Sequence, residues 1–163
     1  MNYQLVKPDQ FKEVLELLKK SAQRLKDNNI QQWDYWLNPP QEKIDWIQEG
    51  IANKEFFFFY QSEELFGMYR LLYEDILYWG HQEKKAGYIH SLVVKPVFSG
   101  KGIGSQVMQH IEHELIQQDI HLLRLDCVAN NKRLCKYYEQ LGFMKVGEVQ
   151  MPLSFNNLYE KQL

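Results

Sequence analysis

The stretch from residue 88 to residue 105 restricts the fold of this chain more than any other part of the sequence. It reads YIHSLVVKPVFSGKGIGS, an apolar segment followed by a proline and three glycines at alternate positions. The pattern predicts a strand, a turn, a loop and a helix that begins near Gly104. Glycines at positions 100, 102 and 104 let backbone N–H groups converge on one space, and the helix adds unpaired donors and a positive dipole end. The sequence therefore predicts a binding site for a phosphate or pyrophosphate.

Two common nucleotide-binding motifs fit this stretch poorly. The phosphate loop of nucleotide triphosphatases requires G-x-x-x-x-G-K-[ST], and that spacing does not occur. The dinucleotide fingerprint G-x-G-x-x-G has Ser105 at its third glycine position, although Asp126 lies where that fold places an acidic residue. The loop also lies beyond the middle of the chain, whereas a dinucleotide fold opens with it. A dinucleotide-binding oxidoreductase is therefore the weaker alternative.

The spacing of the loop residues fits another pattern, [Val/Leu]-x-Val-x-Pro-x-x-x-Gly-x-Gly-[Ile/Leu]-Gly-Ser. The matching residues are Val94, Pro96, Gly100, Gly102, Ile103, Gly104 and Ser105. This pattern resembles motif A of the GNAT superfamily of acyl-CoA-dependent N-acyltransferases, in which the loop binds the pyrophosphate of coenzyme A. The family usually has Arg or Gln immediately before the first glycine, where this chain has Ser99. We expect CoA binding to survive this change, with Lys101 and Lys95 either supplying the charge or lying solvated at the surface.

A second segment near the C-terminus strengthens the resemblance. Asn131 is followed, after six residues, by Tyr138 and then by Gly142-Phe143, which looks like motif B of the same superfamily. The resemblance implies that Tyr138 protonates the departing CoA thiolate, and its alternative role is packing on the helix face. The adjacent Tyr137 is assigned to packing. Asn131 would contact the pantetheine arm or cap the following helix.

The resemblance implies one set of cofactor-binding residues. The backbone of Leu92, Val93 and Val94 would pair with the pantetheine amides, and an N–H there, that of Val94, would stabilise the developing oxyanion. The loop and helix start would hold the pyrophosphate. The full set comprises Leu92, Val93, Val94, Ser99, Gly100, Lys101, Gly102, Ile103, Gly104, Ser105 and Asn131.

The general base is less narrowly defined by the sequence. Asp126 lies in an apolar strand pattern, and alternation of side chains turns it away from the face of Leu125 and Cys127. Asp126 or a water would serve as the base, or Asp126 pairs with Arg124 or a neighbouring polar group. His90 could relay a proton from the amine or act as a hydrogen-bonded structural histidine.

The acceptor side of the chain is rich in aromatic residues. Trp33 and Trp79 lie in loop-like segments and are predicted to contact the substrate together with His90, although packing is the alternative for both tryptophans. Glu74 and Asp75 could pair with a cationic amine. The acceptor is expected to be a small-molecule amine.

Composition excludes several classes of protein. A formal charge of −2 argues against a general nucleic-acid binder. The chain shows no signal peptide and no apolar run long enough to span a membrane, so a cytoplasmic location is expected. Cys127 and Cys135 are expected to be buried thiols, and no spacing of His, Cys or acidic residues suggests a metal site.

The pattern of elements predicts an α/β fold along residues 1–163 as a single domain. The resemblance implies the GNAT fold, a mixed central sheet flanked by helices on both faces, and allows a homodimer. Helices are predicted over 8–26, 41–52, 104–117 and 132–141, and strands over 55–61, 65–72, 86–94, 120–128, 144–148 and 158–162.

These features together predict an acetyl-CoA-dependent N-acetyltransferase. Direct attack of the amine in a ternary complex is expected, because neither cysteine lies in a motif typical of an acyl-enzyme nucleophile. The alternatives are a non-catalytic acyl-CoA-binding or regulatory domain, and an enzyme that acetylates protein N-termini or side chains.

Overall fold

The computed structural model describes all 163 residues. It contains seven strands and five α-helices. The strands are β1 (Asn2–Leu5), β2 (Phe56–Gln61), β3 (Glu64–Leu72), β4 (Gly87–Val94), β5 (Leu122–Val128), β6 (Met144–Met151) and β7 (Ser154–Gln162). The helices are α1 (Phe11–Asp27), α2 (Gln41–Ala52), α3 (Ile76–Trp79), α4 (Ile103–Gln117) and α5 (Lys132–Gln140).

The seven strands form one mixed sheet in the order β1-β2-β3-β4-β5-β7-β6. Strands β4 and β5 are parallel, whereas β7 is antiparallel to both of its neighbours. The predicted α/β class is therefore confirmed, with one more strand than the sequence indicated. None of the helices has the length and apolar character needed to cross a membrane.

The chain divides into two compact units, of which the first comprises Met1–Leu71 and Ser91–Ile103. Here β2 pairs antiparallel with β1 and with β3. Helix α1 places apolar residues at helical spacing on one face, and this face is buried. The core of the unit combines that face with residues of α2 and the sheet, and includes Val14, Leu18, Trp36, Ile47, Phe56, Phe58, Met68 and Val93.

The second unit comprises Leu72–His90 and Gly104–Leu163. Gly87–Ile89 of β4 pair with Leu123–Leu125 of β5, and β5 pairs along its whole length with β7. Strands β6 and β7 form the closing hairpin. Because side chains alternate along β5, Leu123, Leu125 and Cys127 are buried on one face, and Asp126 is turned to the other face as predicted.

Candidate active site

The glycine loop of the first unit has the geometry expected of an anion site. Gly100 has a φ of +77° and Gly102 a φ of +73°, values that favour glycine over residues with a Cβ. A Cβ built on Gly100 would meet no atom within 4 Å, so the space beside this residue is open. The loop leads directly into helix α4. The loop therefore has the backbone conformation and the open space that a phosphate group requires.

The residues before the loop are held in place by aromatic packing. The ring of Phe98 stacks on Phe66, with ring centres 3.7 Å apart, and the Nζ atom of Lys101 lies 5.6 Å from the centre of the Phe98 ring. The backbone N–H of Lys95 donates to the Phe66 carbonyl at 2.8 Å. These contacts fix the end of β4, and they therefore position the predicted backbone donors of residues 92–94.

A left-handed residue interrupts β4 at this point. Ser91 has a φ of +52° within an otherwise extended strand. Such a conformation costs a residue with a side chain about 1–2 kcal/mol, and it is concentrated at functional sites. His90 belongs to the second unit, whereas Ser91 and the residues that follow it in β4 belong to the first.

The motif B residues lie on and before α5 in the second unit. The Oδ1 atom of Asn131 accepts a hydrogen bond from the Leu134 N–H at 3.1 Å, so this side chain caps the helix. Tyr138 is buried, and its ring packs against Phe143 and Tyr159. Burial raises the pKa of Tyr138, so its hydroxyl keeps its proton at neutral pH.

The start of α4 contacts α5 within the same unit. A Cβ on Gly104 would lie 2.7 Å from the hydroxyl oxygen of Tyr137. Glycine at this position therefore allows the tyrosine to approach the first turn of α4. The packing role predicted for Tyr137 is thus accompanied by a close contact with Gly104 that the sequence did not indicate.

Three buried polar side chains, those of Asp75, His90 and Asp126, contact one another in series at the face of β5 that carries Asp126. The Nε2 atom of His90 lies 2.9 Å from Oδ2 of Asp75, and its Nδ1 atom lies 3.5 Å from Oδ1 of Asp126. The three side chains are 12%, 6% and 9% exposed, respectively. His90 is brought beside Asp126 because Ile89 and Leu125 are paired across the two parallel strands. Asp75 arrives from a different segment, where it caps α3 by accepting from the Tyr78 N–H at 3.3 Å.

Strand β7 adds a fourth polar side chain to this chain of contacts. The Nδ2 atom of Asn156 donates to Oδ2 of Asp126, and its own Oδ1 atom is buried without a partner. Burial raises the pKa of Asp126, and the nearby Asp75 carboxylate adds to this effect, while His90 and the Asn156 hydrogen bond oppose it. A buried carboxyl group whose pKa is raised, next to an imidazole, is a candidate for proton transfer.

The sequence did not identify this chain of contacts. Asp75 was interpreted as a partner for a cationic amine, and Asn156 was not singled out. Two consecutive asparagines, Asn156 and Asn157, are both buried within β7. Because a buried amide requires polar partners, this pair was the one feature of the sequence that could have indicated these contacts. Asp126 pairs with His90 and Asn156, while Arg124 instead binds Glu160 and the Tyr88 hydroxyl.

The two predicted pocket tryptophans each pack against a cluster of buried residues. Trp33 has a left-handed backbone, with a φ of +68°, and packs against the core of the first unit. Trp79 ends α3 in the second unit, where its ring lies 5.8 Å from that of Tyr88 and 4.9 Å from the Arg124 guanidinium. Its Nε1 atom is buried without a partner. Their substrate contacts stay predictions.

The two cysteines are free and buried, as the sequence predicted. Their sulfur atoms lie 3.5 Å apart. Burial raises the pKa of the Cys127 thiol, with a further contribution from Cys135. A thiol in this state is a poor nucleophile, because the thiolate is the reactive form.

Comparison with known proteins identifies the family. Residues 16–143 match the model of the acetyltransferase (GNAT) family. The chain is 30% identical over 152 residues to a Bacillus subtilis protein named "Uncharacterized N-acetyltransferase YesJ", covering 90% of this chain and 82% of that one.

Solved structures confirm the fold. A GNAT-family acetyltransferase from Listeria monocytogenes has a TM-score of 0.80 at 24% identity, covering 99% of this chain and 94% of that one. The PaiA N-acetyltransferase of Thermoplasma acidophilum, solved in complex with coenzyme A, has a TM-score of 0.67 at 17% identity, covering 99% and 98%. The predicted GNAT fold is therefore confirmed. The chain belongs to the acetyltransferase (GNAT) family and is an acetyl-CoA-dependent N-acetyltransferase.

Proposed function

We propose that this enzyme acetylates the primary amine of a small-molecule acceptor by direct attack in a ternary complex. The observation that carries the proposal is the buried Asp75–His90–Asp126 chain. A primary amine is a cation at neutral pH and must lose a proton before it can attack. A nearly dry group of two carboxylates and an imidazole is suited to receive that proton.

Asp126 and His90 together take up the proton of the amine. The raised pKa of Asp126 brings this carboxyl closer to the pH at which the amine must be deprotonated. The adjacent imidazole of His90 shares the proton, and Asp75 stabilises the imidazolium that results. The unpaired Oδ1 atom of Asn156 offers a further acceptor for an N–H group. Asp126 therefore acts as the base, with His90 contacting the acceptor.

Tyr138 acts as the acid at the leaving group. Acetyl-CoA supplies an acyl group on a thioester, whose sulfur must be protonated or stabilised as it leaves. Burial raises the pKa of Tyr138, so the phenol carries the proton that the leaving sulfur requires. The raised pKa of the Cys127 thiol supports direct transfer over an acyl-cysteine route.

The cofactor-binding set follows the two motifs. The loop from Ser99 to Gly102 and the helix start at Ile103, Gly104 and Ser105 would hold the pyrophosphate through backbone donors. The open space beside Gly100 fits this role. The backbone of residues 92–94 would bind the pantetheine amides, with Asn131 bracing the neighbouring loop.

Several broader expectations complete the proposal. Residues 1–163 would function as one domain located in the cytoplasm, without a metal, as a monomer or a homodimer. Trp33 and Trp79 would line the acceptor pocket, where aromatic faces can hold a cationic amine.

A panel of amines tests the acceptor class. The enzyme is incubated with acetyl-CoA and polyamines, aminoglycosides, amino acids or peptide N-termini, while thiol release and the acetylated product are both measured. Turnover with a small amine and none with peptides is expected. Turnover confined to peptides or proteins would support the protein-acetyltransferase alternative. Tight binding of acetyl-CoA without any turnover would support the non-catalytic one.

A further inference from the structure

A charged side chain from α1 reaches the glycine loop of the first unit. The Nη2 atom of Arg24 donates a hydrogen bond to the Ser99 hydroxyl at 3.2 Å, across 75 positions of sequence. Ser99 immediately precedes Gly100, so the guanidinium lies at the beginning of the loop. Both residues are exposed, and a ligand at the loop would therefore be accessible to Arg24.

The positive charge of Arg24 is not neutralised inside the protein. None of the ion pairs in the structure includes this residue. The nearest acidic residue along the helix, Asp27, accepts instead from the Gln23 amide at 2.7 Å. One hydrogen bond to Ser99 uses one of the five N–H donors of a guanidinium. The others remain available to an anion.

The loop needs such a charge. Its backbone N–H groups can bind phosphate oxygens, but they carry no net charge, and Ser99 has a short neutral side chain. An arginine is always protonated in proteins and can donate two parallel hydrogen bonds to a phosphate. The other cation of the loop, Lys101, lies 5.6 Å from the Phe98 ring.

We propose that Arg24 binds the pyrophosphate of acetyl-CoA at this loop and supplies the charge that position 99 lacks. The proposal rests on the proposed function, because it takes the loop as the CoA pyrophosphate site. In this account Ser99 is a positioning residue: its hydroxyl orients the guanidinium toward the loop.

Calorimetric binding of three ligands to the full chain tests this assignment. Coenzyme A and 3′-dephospho-CoA both contain the pyrophosphate, whereas pantetheine does not. Loss of one charge-assisted contact corresponds to roughly tenfold in affinity. Arg24→Ala is therefore expected to weaken coenzyme A and dephospho-CoA by about tenfold each and to leave pantetheine unchanged. The effect should shrink as the salt concentration rises.

Two further variants control for charge and for position. Lys26→Ala removes a charge from the same exposed end of α1 and is expected to change the affinity by less than about twofold. Arg24→Ala combined with Ser99→Arg returns a guanidinium to the loop and is expected to restore the affinity. Melting curves check that each variant is folded.

The outcomes separate this inference from the proposed function. Unchanged CoA affinity in Arg24→Ala would overturn the inference while leaving the proposed function intact. An effect on coenzyme A but not on dephospho-CoA would also overturn it, because the contact would then be to the 3′-phosphate. Failure of the unmodified chain to bind CoA at all would overturn both.

Discussion

The role of Asp75 can be tested by a substitution that removes its charge and keeps its shape. In Asp75→Asn the side-chain oxygen that accepts from the Tyr78 N–H is retained, so the start of α3 stays capped. What is lost is the carboxylate 2.9 Å from Nε2 of His90. Asp75→Ala serves as the companion variant, because it removes both interactions.

The expected loss of stability follows from the burial of this pair. A hydrogen bond to a charged group contributes about 1.5–3 kcal/mol, and the Asp75 residue is only 7% exposed, so water screens it little. Because an asparagine can still form a hydrogen bond with the imidazole, the free energy of unfolding is expected to fall by about 1.5 kcal/mol in Asp75→Asn. In a domain of this size that corresponds to a fall in Tm of about 3–6 °C. Asp75→Ala is expected to cost about 1 kcal/mol more, because the cap is also lost.

The catalytic readout separates a positioning role from a purely structural one. Without the Asp75 carboxylate, one of the causes that raise the pKa of Asp126 is removed, so the pKa of the proposed base falls. The acid limb of the pH profile of kcat/KM should then shift to lower pH, and kcat should fall by about a hundredfold. Steady-state rates across pH 5–10 give both values. A destabilised variant with an unchanged rate and an unchanged acid limb would show that Asp75 has only a structural role.

Three other substitutions test separate parts of the site. Tyr138→Phe removes the proposed acid and is expected to lower kcat by about a hundredfold. The affinity for CoA and the Tm should stay nearly unchanged, because the ring packing is kept. Full activity in the assay of thiol release would exclude Tyr138 as the acid. Gly104→Ala places a Cβ against the Tyr137 hydroxyl and should lower the free energy of unfolding of the protein by about 1 kcal/mol. In a Tyr137→Phe background the same change should be stabilising, since only the gain in helix propensity remains. Additive effects of the two changes in urea denaturation would show that the contact is absent. The pKa of Asp126 is raised in the folded state above its unfolded-state value of about 4. The wild type should therefore lose stability relative to Asp126→Asn as the pH rises from the unfolded-state pKa through the folded-state pKa. A difference between the two unfolding free energies that does not change with pH would contradict the raised pKa.

The sequence predicted the regular elements with long patterns better than the short ones. Helix α2 begins and ends at the predicted residues, Gln41 and Ala52, because Pro40 and the apolar spacing mark it clearly. Strand β1 was not predicted, since its four residues are mostly exposed and owe their conformation to pairing with β2. Helix α3 was also not predicted, because a helix of four residues depends on the Asp75 cap.

The candidate site shows the same division. The glycine loop and the Asn131 cap follow from local spacing, and both were predicted. The contacts of Asp75 with His90, and of Arg24 with Ser99, join residues that are 15 and 75 positions apart. Such contacts depend on how the chain returns to the same place, and no local pattern encodes them.

The most direct test of the account is the kinetic order of the reaction. Initial rates are measured with acetyl-CoA and an accepted amine varied together, and the protein is sampled by mass spectrometry after incubation with acetyl-CoA alone. Direct attack in a ternary complex predicts intersecting lines in the double-reciprocal plot and no acetylated protein intermediate. Parallel lines, together with an acetyl group on Cys127 or Cys135, would contradict it.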